Sequence, residues 1–283
     1  MDLKTAVCKT VNKLFPVPRH PFNLQSSGQE TYAEWQYKRG EDTIRFFLDN
    51  TSTEEMFRDK VVLDIGCGAA GKTLYYASQG VRKIYGIDVV ERYEEEANAL
   101  ARQKGMEHLF QFVLADAADT GFEDNFFDTI IMNDAMEHVE KPLEVLRECY
   151  RVLKPGSRLY INFPPYYHPC GAHLSDAIGF PWIHLFFHEQ TLIKVYKDLV
   201  KDLPDGDERI RFRISVDETG REYLSYINKM TIRRFRNLLK QVDFDIICYK
   251  EVPLRPFLMP LSRIPVIKEC FVKMAVCVLE KPK

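Results

Sequence analysis

The sequence has no Cys-x-x-Cys pair, no long apolar run and almost no excess of charge, and each absence removes a class of protein. Its seven cysteines, at 8, 67, 149, 170, 248, 270 and 277, are odd in number and scattered. Neither a disulfide framework nor a four-cysteine zinc site fits that spacing. Reduced thiols in a cytoplasmic protein are the expectation. No stretch of about 18 apolar residues occurs, so no transmembrane helix is expected. Met1-Asp2-Leu3-Lys4 leads into no apolar run, so no signal peptide is expected. A net charge of −2 gives no support to nonspecific nucleic-acid binding. Internal repeats and low-complexity segments are also missing. What remains is ordinary globular composition, 46% hydrophobic and 28% charged over 283 residues. That is enough for a full core in one elaborated α/β domain or in two smaller domains.

Residues 1–60 read as helical, with a break at Pro16-Val17-Pro18. Leu3, Val7, Val11 and Leu14 form a short apolar stripe at helical spacing. It either packs on the main domain, covers a site or rests on a membrane surface. From 61 onward strand and helix alternate. Strands are expected at 61–65, 83–87, 110–114, 128–132 and 158–163, with helices at 72–80, 91–104 and 140–153 between them. Such alternation predicts a mostly parallel sheet with ligands beyond the carboxyl ends of its strands. Residues 164–228 break the order and read as an insertion. Within it, 209–216 alternates arginine with apolar residues, and with 222–227 it predicts a β-hairpin. A helix at 231–241 and strands at 244–250 and 272–279 follow.

Asp64-Ile65-Gly66-Cys67-Gly68-Ala69-Ala70-Gly71 leaves the first strand. Its glycines let the backbone turn tightly and approach a ligand. The G-x-G-x-x-G pattern also fits nicotinamide and flavin binders. Asp88 ends the second strand, where a carboxylate accepts ribose hydroxyls in either cofactor class. Asp64 separates the classes. An acidic group before the glycines suits a cofactor with a positive amino-acid end, although it could also only cap the loop.

With Tyr85-Gly86-Ile87-Asp88, Ala115-Asp116-Ala117, Phe127-Asp128-Thr129-Ile130-Ile131, Met136-Glu137-His138-Val139 and Arg151-Val152-Leu153-Lys154-Pro155-Gly156, the chain resembles the class I S-adenosylmethionine-dependent methyltransferases, in the branch of ubiquinone and polyketide modifiers. The resemblance covers roughly 35–163 and the terminal helix-strand-strand unit. It implies a doubly wound, mostly parallel seven-stranded α/β sheet with a terminal antiparallel hairpin and an inserted α+β substrate subdomain. Residues 1–60 would form an N-terminal helical lid region and 61–163 the cofactor core. Residues 164–228 would be the substrate subdomain, and 229–283 would complete the sheet around a proline-rich excursion at 253–271. The implied cofactor is S-adenosyl-L-methionine. Asp64 and the Gly66-Cys67-Gly68 backbone would hold its methionine end, Asp88 its ribose, Asp116 and the Ala117 amide its adenine, with Asn133 beside the methionine end. Ser157 stands where the family often has a second glycine. Tyr32, Trp35 and Tyr37 lie where relatives often place a cofactor-covering helix, and core packing accounts for them equally well.

Methyl transfer to oxygen needs alignment and removal of a proton. Histidines 168, 173, 184 and 188 cluster after the fifth strand, and His138 follows the fourth. His138, His173 and His184 are the candidate bases. The spacings of 168 to 173 and of 184 to 188, with Asp176 nearby, loosely permit a metal, but the aromatic segment suits a substrate wall better and no metal is expected. Arg209, Arg211 and Arg213 line either a solvated strand face or an anionic substrate. Residues 253–271 either pack between the last strands or touch a lipid-linked substrate at a membrane. The expected function is O-methylation of a small molecule, glycan or lipid-linked intermediate. N- or C-methylation, a nicotinamide-dependent oxidoreductase and a non-catalytic methyltransferase-like scaffold are the alternatives.

Overall fold

The computed structural model describes residues 2–18, 23 and 31–283. Residues 1, 19–22 and 24–30 of the expected N-terminal lid lie outside the described residues. The chain forms two compact units. One comprises Glu30–Phe163, Ile232–Val252 and Met274–Lys283; the other comprises Met1–Gln29, Pro164–Thr231 and Pro253–Lys273. The segment expected as one lid at 1–60 is therefore divided between them. Its part from Thr31 onward belongs with the sheet.

The sheet unit is built on seven strands: β1 (Val61–Ile65), β2 (Lys83–Asp88), β3 (Phe110–Leu114), β4 (Phe127–Asn133), β5 (Leu153–Phe163), β8 (Asp245–Pro253) and β9 (Val272–Glu280). Their order is β3-β2-β1-β4-β5-β9-β8. β1, β2, β3, β4 and β5 are parallel, and β9 runs antiparallel to β5. Val62, Leu63 and Ile65 of β1, and Ile130, Ile131 and Met132 of β4, are buried. These apolar runs, broken in β1 only by Asp64, are what a central parallel strand, covered on both faces, requires. Strand order reverses between β1 and β4, which opens a crevice at their carboxyl ends. The fifth strand begins earlier than expected. Lys154-Pro155-Gly156 reads as a stop, yet the Pro142–Val152 helix runs directly into β5 and the Gly156 amide donates to the Lys281 carbonyl (2.7 Å).

The second unit packs the helices Leu3–Asn12 and Glu189–Val200 around Cys8, Leu192, Val195 and Tyr196. Here the expected hairpin is corrected. Residues Gly206–Arg213 are helical, and only β6 (Ile214–Val216) and β7 (Glu222–Leu224) pair. The helix places Arg209 and Arg213 four residues apart on one buried face, where both meet Asp176 at 3.2 Å. Tyr196 adds a hydrogen bond to the same carboxylate (2.9 Å). Two of the three arginines are thus internal, not a solvated stripe. Residues 184–190 are broken in two, Ile183–Phe186 and a helix capped by His188, whose Nδ1 accepts from the Gln190 amide (3.3 Å). No helix among the described residues is long and apolar enough to cross a membrane.

Candidate active site

β1 ends at Ile65, one residue past Asp64, and delivers the chain to the glycine turn at the crevice. The Gly66 and Cys67 amides both donate to the Ile87 carbonyl (2.9 and 3.1 Å), tying the turn to β2. Gly68 has φ +52°, a left-handed conformation, and a Cβ there would meet nothing within 4 Å. The turn therefore exposes bare backbone to open space. Asp88 braces it from the side. One oxygen accepts from the Gly68 amide (2.9 Å), the other from the Val90 amide (3.0 Å). Each oxygen keeps a further lone pair for a ligand hydroxyl.

Asp64 is buried and accepts from Thr73 Oγ1 at 2.5 Å. Burial outweighs that bond and lifts its carboxyl to about 7. Lys72, one residue before Thr73, donates to Asp134 (2.7 Å) and to the Asn133 carbonyl (3.5 Å). Burial alone would lower the Lys72 ammonium, but Asp134 and neighbouring tyrosines hold it above its ordinary value. Tyr32 stands within electrostatic reach of Lys72 and Asp134. Glu137 lies further along the same loop. It is buried, neither oxygen bonds another described residue, and burial and then Asp134 push its carboxyl well above the usual range.

The expected site residues fall as follows. Asn133 is at the strand end, but its amide belongs to an internal network. It donates to Tyr76 Oη (2.6 Å) and accepts from Asn162 (2.6 Å), and Thr43 bonds the same tyrosine (2.8 Å). Asp116 is exposed beyond β3 and closes a turn onto the Ala118 amide (2.8 Å), with Ala117 buried beside it. His138 is in the sheet unit, its Nε2 3.7 Å from Glu137 Oε1. His173 and His184 are in the other unit. The His173 carbonyl accepts from Arg213 Nε (3.0 Å). The His184 ring leans on Tyr166, and burial depresses its imidazole to about 4. Lys72, Asp134 and Glu137 were not singled out from the sequence. The signal for Glu137 was its place in Met136-Glu137-His138-Val139; that for Lys72 was a lone charge entering an otherwise buried helix, Gly71–Ala77.

Comparison with known proteins agrees with this arrangement. Residues 63–161 match the model of a family described as a methyltransferase domain. The chloroplastic tocopherol O-methyltransferase of Arabidopsis thaliana is 33% identical over 144 residues, covering 51% of this chain and 40% of that protein. The sarcosine/dimethylglycine N-methyltransferase of Halorhodospira halochloris is 28% identical over 165 residues, covering 58% of this chain and 57% of that protein. The match thus spans less than two thirds of either relative. A geranyl diphosphate methyltransferase solved in complex with SAM superposes with a TM-score of 0.54 at 14% identity, over 87% of this chain and 85% of that one. That likeness concerns the fold. Residues 63–161 thus form a methyltransferase domain, and the sheet order and glycine turn give it the fold of the class I S-adenosylmethionine-dependent methyltransferases.

Proposed function

We propose that the chain transfers the methyl group of S-adenosylmethionine to a small-molecule acceptor, glycan and lipid-linked acceptors included, with oxygen the favoured atom. One observation carries this reading. Asp64, Asp88, Asp134 and Glu137 gather at the strand ends, and Lys72 neutralises one of them, Asp134. Acids whose ionisation burial has held back are drawn to their charged form by a cation, so this crevice suits a ligand bearing a sulfonium and an ammonium. It disfavours the pyrophosphate of a nicotinamide dinucleotide. Asp64 and the open backbone at Gly68 would hold the methionine end, Asp88 the ribose, and Asp116 with the Ala117 amide the adenine.

When bound, the cofactor supplies a methyl group on a cationic sulfur that an acceptor lone pair can displace. This chain's part is to align the acceptor and take its proton. His138 is the favoured base. Glu137, facing His138 Nε2, would stabilise the imidazolium once the proton is taken, since a neighbouring cation draws a buried carboxylate back toward its charged form. His168 and His188 accept backbone amides at their Nδ1 atoms and read as structural. His173 and His184 remain in reserve. All seven cysteines are unpaired, which supports a reducing, cytoplasmic setting.

Calorimetric titration with S-adenosylmethionine, S-adenosylhomocysteine and NADH tests the reading. Micromolar binding of the first two alone is expected. Binding of NADH alone would replace methyl transfer with hydride transfer. A His138→Ala variant should bind cofactor normally and lose turnover. Unchanged turnover would move the base to His173 or His184.

A further inference from the structure

The helix Leu3–Asn12 is docked by its polar face. Thr5, Cys8 and Asn12 are buried, and Asn12 Oδ1 accepts from the Gly179 and Phe180 amides (2.9 and 3.2 Å). Its apolar stripe points outward, with Leu3 79% exposed and Leu14, just past its end, 76% exposed. The stripe does not pack on a core. The excursion between β8 and β9 behaves alike. It consists of three short turns, Pro256–Leu258, Leu261–Arg263 and Lys268–Phe271. They leave Phe257 77% and Val266 92% exposed, with Met259, Ile264 and Ile267 also in solvent.

These segments are joined within their unit. Phe15 packs on Phe180 (4.8 Å between ring centroids) and Phe180 on Phe186 (5.7 Å), itself exposed. Trp182 packs on Phe271 and donates from Nε1 to the Cys270 carbonyl (3.1 Å). The result is a ridge of single apolar side chains on turns stiffened by proline. Its charge is mainly basic. Residues 253–271 carry Arg255, Arg263 and Lys268 against one acidic residue, Glu269, in a chain whose net charge is −2. An apolar cavity of about 330 Å3 lies in the same ridge, between Phe15–Pro18 and Pro169–Ile183.

We propose that this ridge seats the unit on an anionic lipid surface, with the apolar side chains in the acyl boundary and the basic residues at the headgroups. Protruding apolar residues interleaved with arginine, basic residues outnumbering acidic ones, match that surface in both polarity and charge. Arginine stems cover apolar surface while their guanidinium groups stay at the headgroups. The cavity would accept a lipid chain.

Co-sedimentation of the full chain with vesicles tests this without cofactor or acceptor, so it stands or falls apart from the methyl-transfer reading. Vesicles of phosphatidylcholine alone are compared with vesicles carrying roughly a third phosphatidylglycerol. Binding to the anionic vesicles alone, weakened by salt, is expected. Val266→Asp should reduce the bound fraction about tenfold or more, and so should Arg263→Glu. Both residues are exposed, and a wild-type circular dichroism spectrum with wild-type hydrogen exchange over 189–200 and 206–213 certifies that each variant's unit is folded. Binding to neither vesicle, or equally to both, would overturn the proposal. So would a dimer in size-exclusion chromatography that Val266→Asp dissolves, since the ridge would then be a self-interface.

Discussion

At the scale of single residues the candidate site offers its sharpest test at Asp64. Its carboxyl lies at about 7 in the folded protein against an ordinary value of 3.8, because burial outweighs the Thr73 bond. A raised carboxyl stabilises the fold fully at pH values below the unfolded value. That stability is lost as pH rises through the folded value, corresponding to roughly 4 kcal/mol by pH 8. Asp64→Asn removes this penalty while keeping an oxygen for Thr73. The free variant should therefore melt above the wild type at pH 8, and the gap should close toward pH 4. A cationic ligand reverses the sign, because it draws Asp64 to its charged form. Wild-type affinity for S-adenosylmethionine should rise between pH 6 and 8 with release of a proton, and the variant's should be weaker and flat. Calorimetry in buffers of different ionisation enthalpy reads the proton directly. Asp64 was legible because an acid interrupts an apolar strand just before glycines. Glu137 was not, since nothing in the sequence says that a glutamate after a strand will be buried without a hydrogen-bonding partner among the other described residues.

Elements were legible where one local pattern decides them. β1 and β3 occupy the expected residues, because a short apolar run bounded by turn residues has few other solutions. Gly206–Arg213 was misread because alternating arginine and isoleucine also permits a helix. Asp207 and Glu208 in its first turn, and Arg211 and Arg213 in its last, complement the helix dipole. What decides the outcome is Asp176, some thirty residues earlier in the chain. Asp176→Ala would leave Arg209 and Arg213 buried without their shared carboxylate, and should cost about 3–5 kcal/mol in chemical denaturation. If the loss is under about 1 kcal/mol, the network is not what holds that helix. On the sheet side, the Gly71–Ala77 helix approaches the Tyr32–Lys38 helix so closely that a Cβ on Gly71 would stand 2.2 Å from the Ala33 carbonyl. Gly71→Ala should cost about 1–3 kcal/mol, seen as a lower melting temperature, and weaken cofactor binding by displacing Lys72 and Thr73.

Across the whole molecule the two units differ in how their cores are assembled, and that difference explains what the sequence reveals. The sheet unit takes its site from loops that each follow a strand, so short motifs carry it. The other unit draws on three distant stretches of chain. Lys9 pairs with Asp198 at 2.5 Å, and Asn12 holds Gly179 and Phe180. No short motif encodes such contacts, so the acceptor stays unread while the cofactor is plain. The same division predicts how a ligand stabilises the chain. S-adenosylhomocysteine at a hundredfold excess over its Kd should add about 2.7 kcal/mol to whatever opening exposes its site. Hydrogen exchange should therefore slow in peptides covering 64–74, 86–90 and 133–138, and stay unchanged in those covering 189–200 and 206–213. Equal slowing in both sets would mean that the two units open together, and that cofactor binding in one already orders the other.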